Sequence, residues 1–287
     1  MSYKLYLPVL FLFVSLSADA QYWRSDTARM YSVNPWISGA IVAVGVPANI
    51  YGIKRVQEGD RTPEATVLAL TPDDVNGFDR WVLEQEDVIA LRERETWKPR
   101  DLSDLGMISG GLLPFALALD KNVRREWMDV LPMYLEAQVV TANMWAWSPV
   151  GPAVVSRCRP FVYYDQYPLD ERTKSERRAS FYSGHVASSA VGAMFTARVI
   201  CDYHPELGNR KWMVYAGASL FPIWTGYWRI KDLAHFPSDV VVGAAIGSAI
   251  GILVPQIHKN KRRKFGLSVI YNEDVKAVGM VIGLNRR

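Results

Sequence analysis

Between Gly226 and Gly243 the 287-residue sequence holds an arginine, a histidine and an aspartate at the spacing R-x5-H-x3-D: Arg229, His235 and Asp239. His235 and Asp239 are four residues apart, so on a helix they share one face. A carboxylate one turn along can hold an imidazole by one nitrogen and leave the other free to attack. Arg229 is close enough upstream to meet an anion placed before that nitrogen. A helix entrance with ordinary polar residues would read the same way, and two further stretches tip the balance. Arg157 and Arg159 stand two apart ahead of Pro160. Arginine offers a planar fork of donors suited to phosphate, although an R-x-R at the end of an apolar run also serves as a plain charge anchor. Ser183, Gly184 and His185 open a helical pattern, where free amides and the helix dipole attract anions. Gly184 lets the backbone approach closely, and His185 is a candidate general acid.

These residues lie at the ends of apolar runs: 35–53, 102–119, 127–149, 184–203, 212–228 and 236–257. The pattern predicts an all-α polytopic membrane bundle of about five or six spans. Run 35–53 is barely long enough, since a crossing helix needs about 20 residues; it reads as a span, a re-entrant helix or a helix packed on the membrane core. Asp129, Glu136 and Gln138 are costly in lipid and should face protein. Small residues at 187–190 and 192–193 allow close helix approach. Four regions follow: a leader over 1–20, an N-terminal region over 21–101, a membrane domain over 102–258, and a basic segment with a short β-hairpin over 259–287. The polar part of the second region, with apolar and charged positions at helical spacing, predicts a surface helix covering the membrane domain.

Hydrophobic residues make up 49% and charged residues 22% of the chain, which excludes a disordered polymer. A net charge of +4 without an interleaved aromatic-basic face argues against nucleic acid as a partner. No Cys/His ligand spacing is present, so no metal or other cofactor is expected. Residues 1–20 have a basic start, an apolar core and a small-x-small end, which fits a secretory signal cleaved after Ala20 or an uncleaved anchor. Either places Gln21 outside the cytoplasm. The basic loops Lys121–Arg125, Arg210–Lys211 and Lys259–Lys264 favour the cytoplasm, which puts 150–183 and 229–235 on the other side. Cys158 and Cys201 fall near opposite ends of the bundle, so no bridge between them is expected.

Taken together, Arg159–Pro160, Ser183–Gly184–His185, and Arg229 with His235 and Asp239 resemble the three signature motifs of the type 2 phosphatidic acid phosphatase (lipid phosphate phosphatase) superfamily. That pattern runs K-x6-R-P, P-S-G-H and S-R-x5-H-x3-D, and the resemblance covers about residues 102–257. It implies a helical membrane bundle of the phosphatase/haloperoxidase type. It also implies a metal-independent phosphatase whose His235 attacks phosphorus, whose Asp239 orients it and whose His185 protonates the leaving oxygen. Arg159, Arg229, Ser183 and Gly184 would hold the phosphoryl group, with Arg157 as a further phosphate ligand. The implied partners are a lipid phosphate or pyrophosphate and the membrane, in the inner membrane of a bacterium with the site facing outward; the oligomeric state stays open. The departures are Pro152 in place of the first motif's Lys, Tyr182 in place of Pro and Trp228 in place of Ser. Loss of the Lys leaves room for a non-catalytic relative that binds anionic head groups.

Overall fold

Inside a bilayer a backbone amide finds a partner only within its own helix, so long apolar runs become helices. The structure, a computed structural model, describes residues 29–84, 98–260, 265–272 and 277–284, the last two stretches as backbone only. Six long helices stand among the described residues: α1 (Pro35–Gln57), α2 (Pro99–Leu112, continued as a 3-10 turn over Leu113–Leu119), α3 (Trp127–Trp147), α4 (Gly184–Tyr203), α5 (Lys211–Lys231) and α6 (Pro237–His258). Three stretches, Pro35–Gln57, Pro99–Leu119 and Pro237–His258, are long and apolar enough to cross a membrane by length and composition. The fold is the expected helical membrane bundle. The polar residues inside α3 do face protein: Glu136 accepts from Ser38 Oγ at 2.7 Å and sits 3.1 Å from His258 Nε2, and Gln138 Nε2 donates to the Tyr134 hydroxyl at 2.6 Å.

Helix α4 is the axis of the bundle, packed by α2, α3, α5 and α6. Its small residues make this possible: Ala187, Ser189, Ala190 and Ala193 are all buried, leaving little side chain between helix backbones. On α6 a β-carbon at Gly247 would collide with the Ala187 carbonyl, so glycine sets the α4–α6 distance there.

Helix α1 lies parallel to α3. Ser38 meets Glu136, Asn49 Nδ2 donates to the Ala142 carbonyl at 2.8 Å, and Trp147 Nε1 donates to the Ala48 carbonyl at 3.2 Å. Thus α1 begins toward the end of the bundle where α3 begins. Its 23 residues form a full helix, not a re-entrant piece. This geometry corrects one combination of expectations. If α1 crosses, Gln21 and the loops 150–183 do not fall on the same side of the membrane. Residues 1–20 themselves lie outside the described residues.

The stretch 59–84 also departs from expectation. It is a series of short helical turns rather than one surface helix, and Val67, Val75 and Val82 are buried against Phe161, Val162, Leu233 and Phe236. Val82, which opens the stretch read at helical spacing, is with Val67 and Val75 an anchor in this core at one end of the bundle. The predicted helix beyond Glu84 falls on 85–97, outside the described residues. In the tail, β1 (Phe265–Asn272) pairs antiparallel with β2 (Ala277–Leu284); it belongs to a second unit, separate from Val33–Lys259. Cys158 and Cys201 are free thiols.

Candidate active site

The turn between α5 and α6 carries His235. Leu233 takes a left-handed conformation, φ 53°, a position where helices commonly end on glycine. That conformation costs a non-glycine residue about 1–2 kcal/mol. The turn is held by burial of the Leu233 side chain at 1% exposure, by its carbonyl accepting from Phe161 N–H at 3.1 Å, and by Ala234 N–H donating to the Arg229 carbonyl at 3.1 Å. Pro237 then starts α6 at a position where its missing N–H is harmless. His235 is left between two rigid helices, 2% exposed.

The partner of its ring is not the one expected. His235 Nδ1 lies 2.7 Å from the Ser180 carbonyl oxygen, while Asp239 Oδ2 is 3.8 Å away, beyond hydrogen-bond reach. Asp239 holds the Ser180 loop instead. It accepts from Ser180 Oγ at 2.6 Å, from Phe236 N–H at 2.8 Å and from Arg157 at 2.5 Å. A carbonyl only accepts, so Nδ1 carries the proton and Nε2 is the bare nitrogen. Burial first, then the neighbouring charges of Arg229 and Arg159, push the His235 imidazole well below the ordinary histidine range. It is therefore neutral at pH 7, the state a nucleophile needs.

Around it the expected arginines divide into two groups. Arg229, on α5, is 4% exposed, and its Nε has no hydrogen-bond partner. Its Nη1 is 3.5 Å from Ser103 Oγ and 3.8 Å from Asp232 Oδ2. Arg159 donates by Nε to the Glu176 carbonyl at 3.2 Å. Burial, then Arg229 and Arg177, lower its guanidinium to about 9. These two cations and His235 thus share one volume, with Asp232, Asp104 and Glu176 as the neighbouring carboxylates. Arg157, expected as a phosphate ligand, is engaged elsewhere. Its two amino groups meet Asp79 at 2.7 Å and Asp239 at 2.5 Å, and its guanidinium lies over the Phe236 ring at 4.4 Å. That is a correction to the expectation of a free phosphate ligand: both amino groups of Arg157 are taken up by carboxylates.

Ser183 is fully buried, and its Oγ has no partner. Its backbone amide, however, donates to the Asp239 carbonyl at 3.0 Å, so that N–H is not available to an anion. The amides of Gly184 and His185 open α4, where the first N–H groups lack partners within the helix. A β-carbon at Gly184 would press on the Trp145 indole at 3.2 Å. His185 Nε2 is 3.1 Å from Asp104 Oδ1. Pro152, at the position of the missing motif Lys, lines a separate cleft of ≈ 220 Å³ with Arg55, Ser175 and Arg178, and no histidine borders it.

Sequence reasoning missed Asp79, Asp104, Ser180 and Arg177. Asp104 touches His185 across 81 residues, and Asp79 touches Ser238 across 159. No spacing rule connects positions that far apart. Arg177 lies beside Arg159, their segments joined by an Arg159 N–H to Arg177 carbonyl bond of 2.9 Å, and its buried Nε is unpartnered. Among the described residues no group of three or more His, Cys, Asp or Glu side chains is placed to hold a metal.

Residues 133–263, a segment that contains His185, Arg229, His235 and Asp239, match the model of the PAP2 superfamily. Among individual relatives, mouse (Mus musculus) phospholipid phosphatase 1 is 37% identical over 90 residues, 30% of this chain and 31% of that protein. The chain thus covers less than a third of that relative's length. The crystal structure of a transmembrane PAP2-type phosphatidylglycerolphosphate phosphatase from Bacillus subtilis aligns over 78% of this chain and 87% of that one, at 18% identity and a TM-score of 0.37.

Proposed function

We propose that the protein is a metal-independent membrane phosphatase that hydrolyses a phosphomonoester or pyrophosphate of a lipid through a phosphohistidine. One observation carries this reading: a neutral, buried histidine with a bare Nε2 sits among Arg159 and Arg229, and the buried Nε of Arg229 has no hydrogen-bond partner. A buried donor without a partner is costly, and a phosphoryl oxygen would satisfy it. The likeness to phospholipid phosphatase 1 supports a lipid phosphate as the substrate class.

In the first step Nε2 of His235 forms a bond to phosphorus as the bond from phosphorus to the leaving oxygen breaks. His185 gives that oxygen its proton. His235 then carries positive charge, which the Ser180 carbonyl on Nδ1–H and the Asp239 carboxylate 3.8 Å away both stabilise. In the second step water attacks phosphorus and gives its proton to His185, the phosphorus–nitrogen bond breaks, and phosphate leaves. Arg159, Arg229, the Ser183 hydroxyl and the first amides of α4 hold the phosphoryl oxygens as charge builds.

The direct test is phosphate release by the purified protein in detergent from a panel of lipid phosphates and pyrophosphates. Turnover of at least one, abolished in His235→Ala with an unchanged thermal melt, supports the enzyme. No release from any of them, together with retained binding of anionic lipid, would instead make the chain a non-catalytic relative.

A further inference from the structure

We propose that Asp79, from the polar stretch ahead of the family-matched segment, is a positioning residue for the His235 nucleophile. Asp79 is fully buried, yet it is a carboxylate in a four-residue helical turn, Gly77–Arg80. It is satisfied almost entirely from the far side of the site. Oδ1 accepts from Ser238 N–H at 2.9 Å, and Oδ2 accepts from Ser238 Oγ at 2.5 Å and from Arg157 at 2.7 Å. Asn76 adds one bond at 2.9 Å on its own side.

The Ser238 amide belongs to the open first turn of α6, and the residue at the cap, Phe236, has no oxygen to offer. Asp79 therefore does from a distance what an N-cap side chain does locally. It places a negative charge on the helix N-terminus that follows His235 by two residues. It also fixes Arg157, which bridges to Asp239; Asp239 holds Ser180, and the Ser180 carbonyl sets the His235 tautomer. The chain Asp79–Arg157–Asp239–Ser180–His235 has no gap longer than a hydrogen bond. Burial alone would raise the Asp79 carboxyl, but the bonds from Ser238 and Arg157 outweigh it and hold the group below its ordinary value, so it stays charged.

This inference rests on His235 being the nucleophile, and the test separates the two. Phosphate release is measured for wild type, His235→Ala, Asp79→Asn, Arg157→Gln and the double variant Asp79→Asn/Arg157→Gln, each with a thermal melt. Asp79→Asn should lower kcat by about 10–100-fold, the scale of a misplacement near 1 Å, with KM within about twofold because no phosphate ligand is touched. In the Arg157→Gln background Asp79→Asn should cost less than it does alone, since the part of its effect that passes through Arg157 is already lost and only its bonds to Ser238 remain to break. Should Asp79→Asn not fold, Ser238→Ala removes one bond from each of Asp79 and Arg157 and should lower kcat several-fold with KM held. Asp79→Asn activity within twofold of wild type, a loss confined to KM, or losses that multiply in the double variant would each overturn the proposal. Equal activity of wild type and His235→Ala would overturn the nucleophile assignment itself.

Discussion

His235 is set apart from an ordinary histidine by what surrounds it. Burial and two adjoining arginines disfavour its protonated form, so the acid limb of kcat/KM, which reports the free enzyme, should fall well below about pH 6.5, the unperturbed histidine value. Phosphate release measured from pH 4 to 8, with a substrate whose own ionisation is separated out, checks this; an acid limb at or above about 6.5 would contradict it. The same group bears on stability. Unfolded, the imidazole binds a proton below about pH 6.5, while folded it does so only at lower pH. The folded state therefore loses stability as pH falls from about 6.5 toward the folded value, and is unaffected by this group above it. Asp79, also depressed in the fold, adds to the acid lability at still lower pH, as pH falls through its folded value.

The helices explain why much of this was readable and some was not. Arg229, His235 and Asp239 share one turn between α5 and α6, and Ser183, Gly184 and His185 share the start of α4, so local spacing already placed them. The Asp239–His235 contact was misread for a physical reason. His235 lies ahead of Pro237, outside the helix, so the i, i+4 face argument does not reach it, and the Ser180 carbonyl accepts the Nδ1–H hydrogen bond instead. The burial of Val67, Val75 and Val82 was hidden because their partners lie about the 160–163 and 233–236 turns. Helix approach is testable too. Gly247→Leu pushes a side chain into the Ala187 carbonyl and should destabilise by about 1–3 kcal/mol, the usual cost of overpacking. Gly217→Ala on α5 meets nothing within 4 Å and should be neutral or stabilise by up to about 1 kcal/mol. Thermal melts in detergent distinguish the two, and equal shifts would show that Gly247 is not a contact point.

At the scale of the whole molecule, antiparallel helices separate two ends: His235, Ser183 and Arg159 at one, the loops 120–126 and 204–210 at the other. The basic loops predict that the site end faces away from the cytoplasm, and the parallel run of α1 with α3 then starts α1 on the cytoplasmic side. In a Cys158→Ser/Cys201→Ser background, Gln166→Cys should react with an impermeant maleimide in intact cells or spheroplasts, and Asn209→Cys and Ser32→Cys should not. Labelling at 32 and 209 without 166 would turn the molecule over and restore an exported N-terminus. The central claim is that His235 bears the phosphoryl group in turnover. The measurement that meets it most directly is rapid alkaline quenching of the purified protein during steady-state turnover, followed by peptide mass spectrometry for an acid-labile phosphoryl group. The account predicts the group on His235 in wild type, at higher occupancy in a variant slowed in the water step, and none in His235→Ala. Turnover with no phosphoryl adduct at residue 235, or an equal adduct on another residue in His235→Ala, would contradict it.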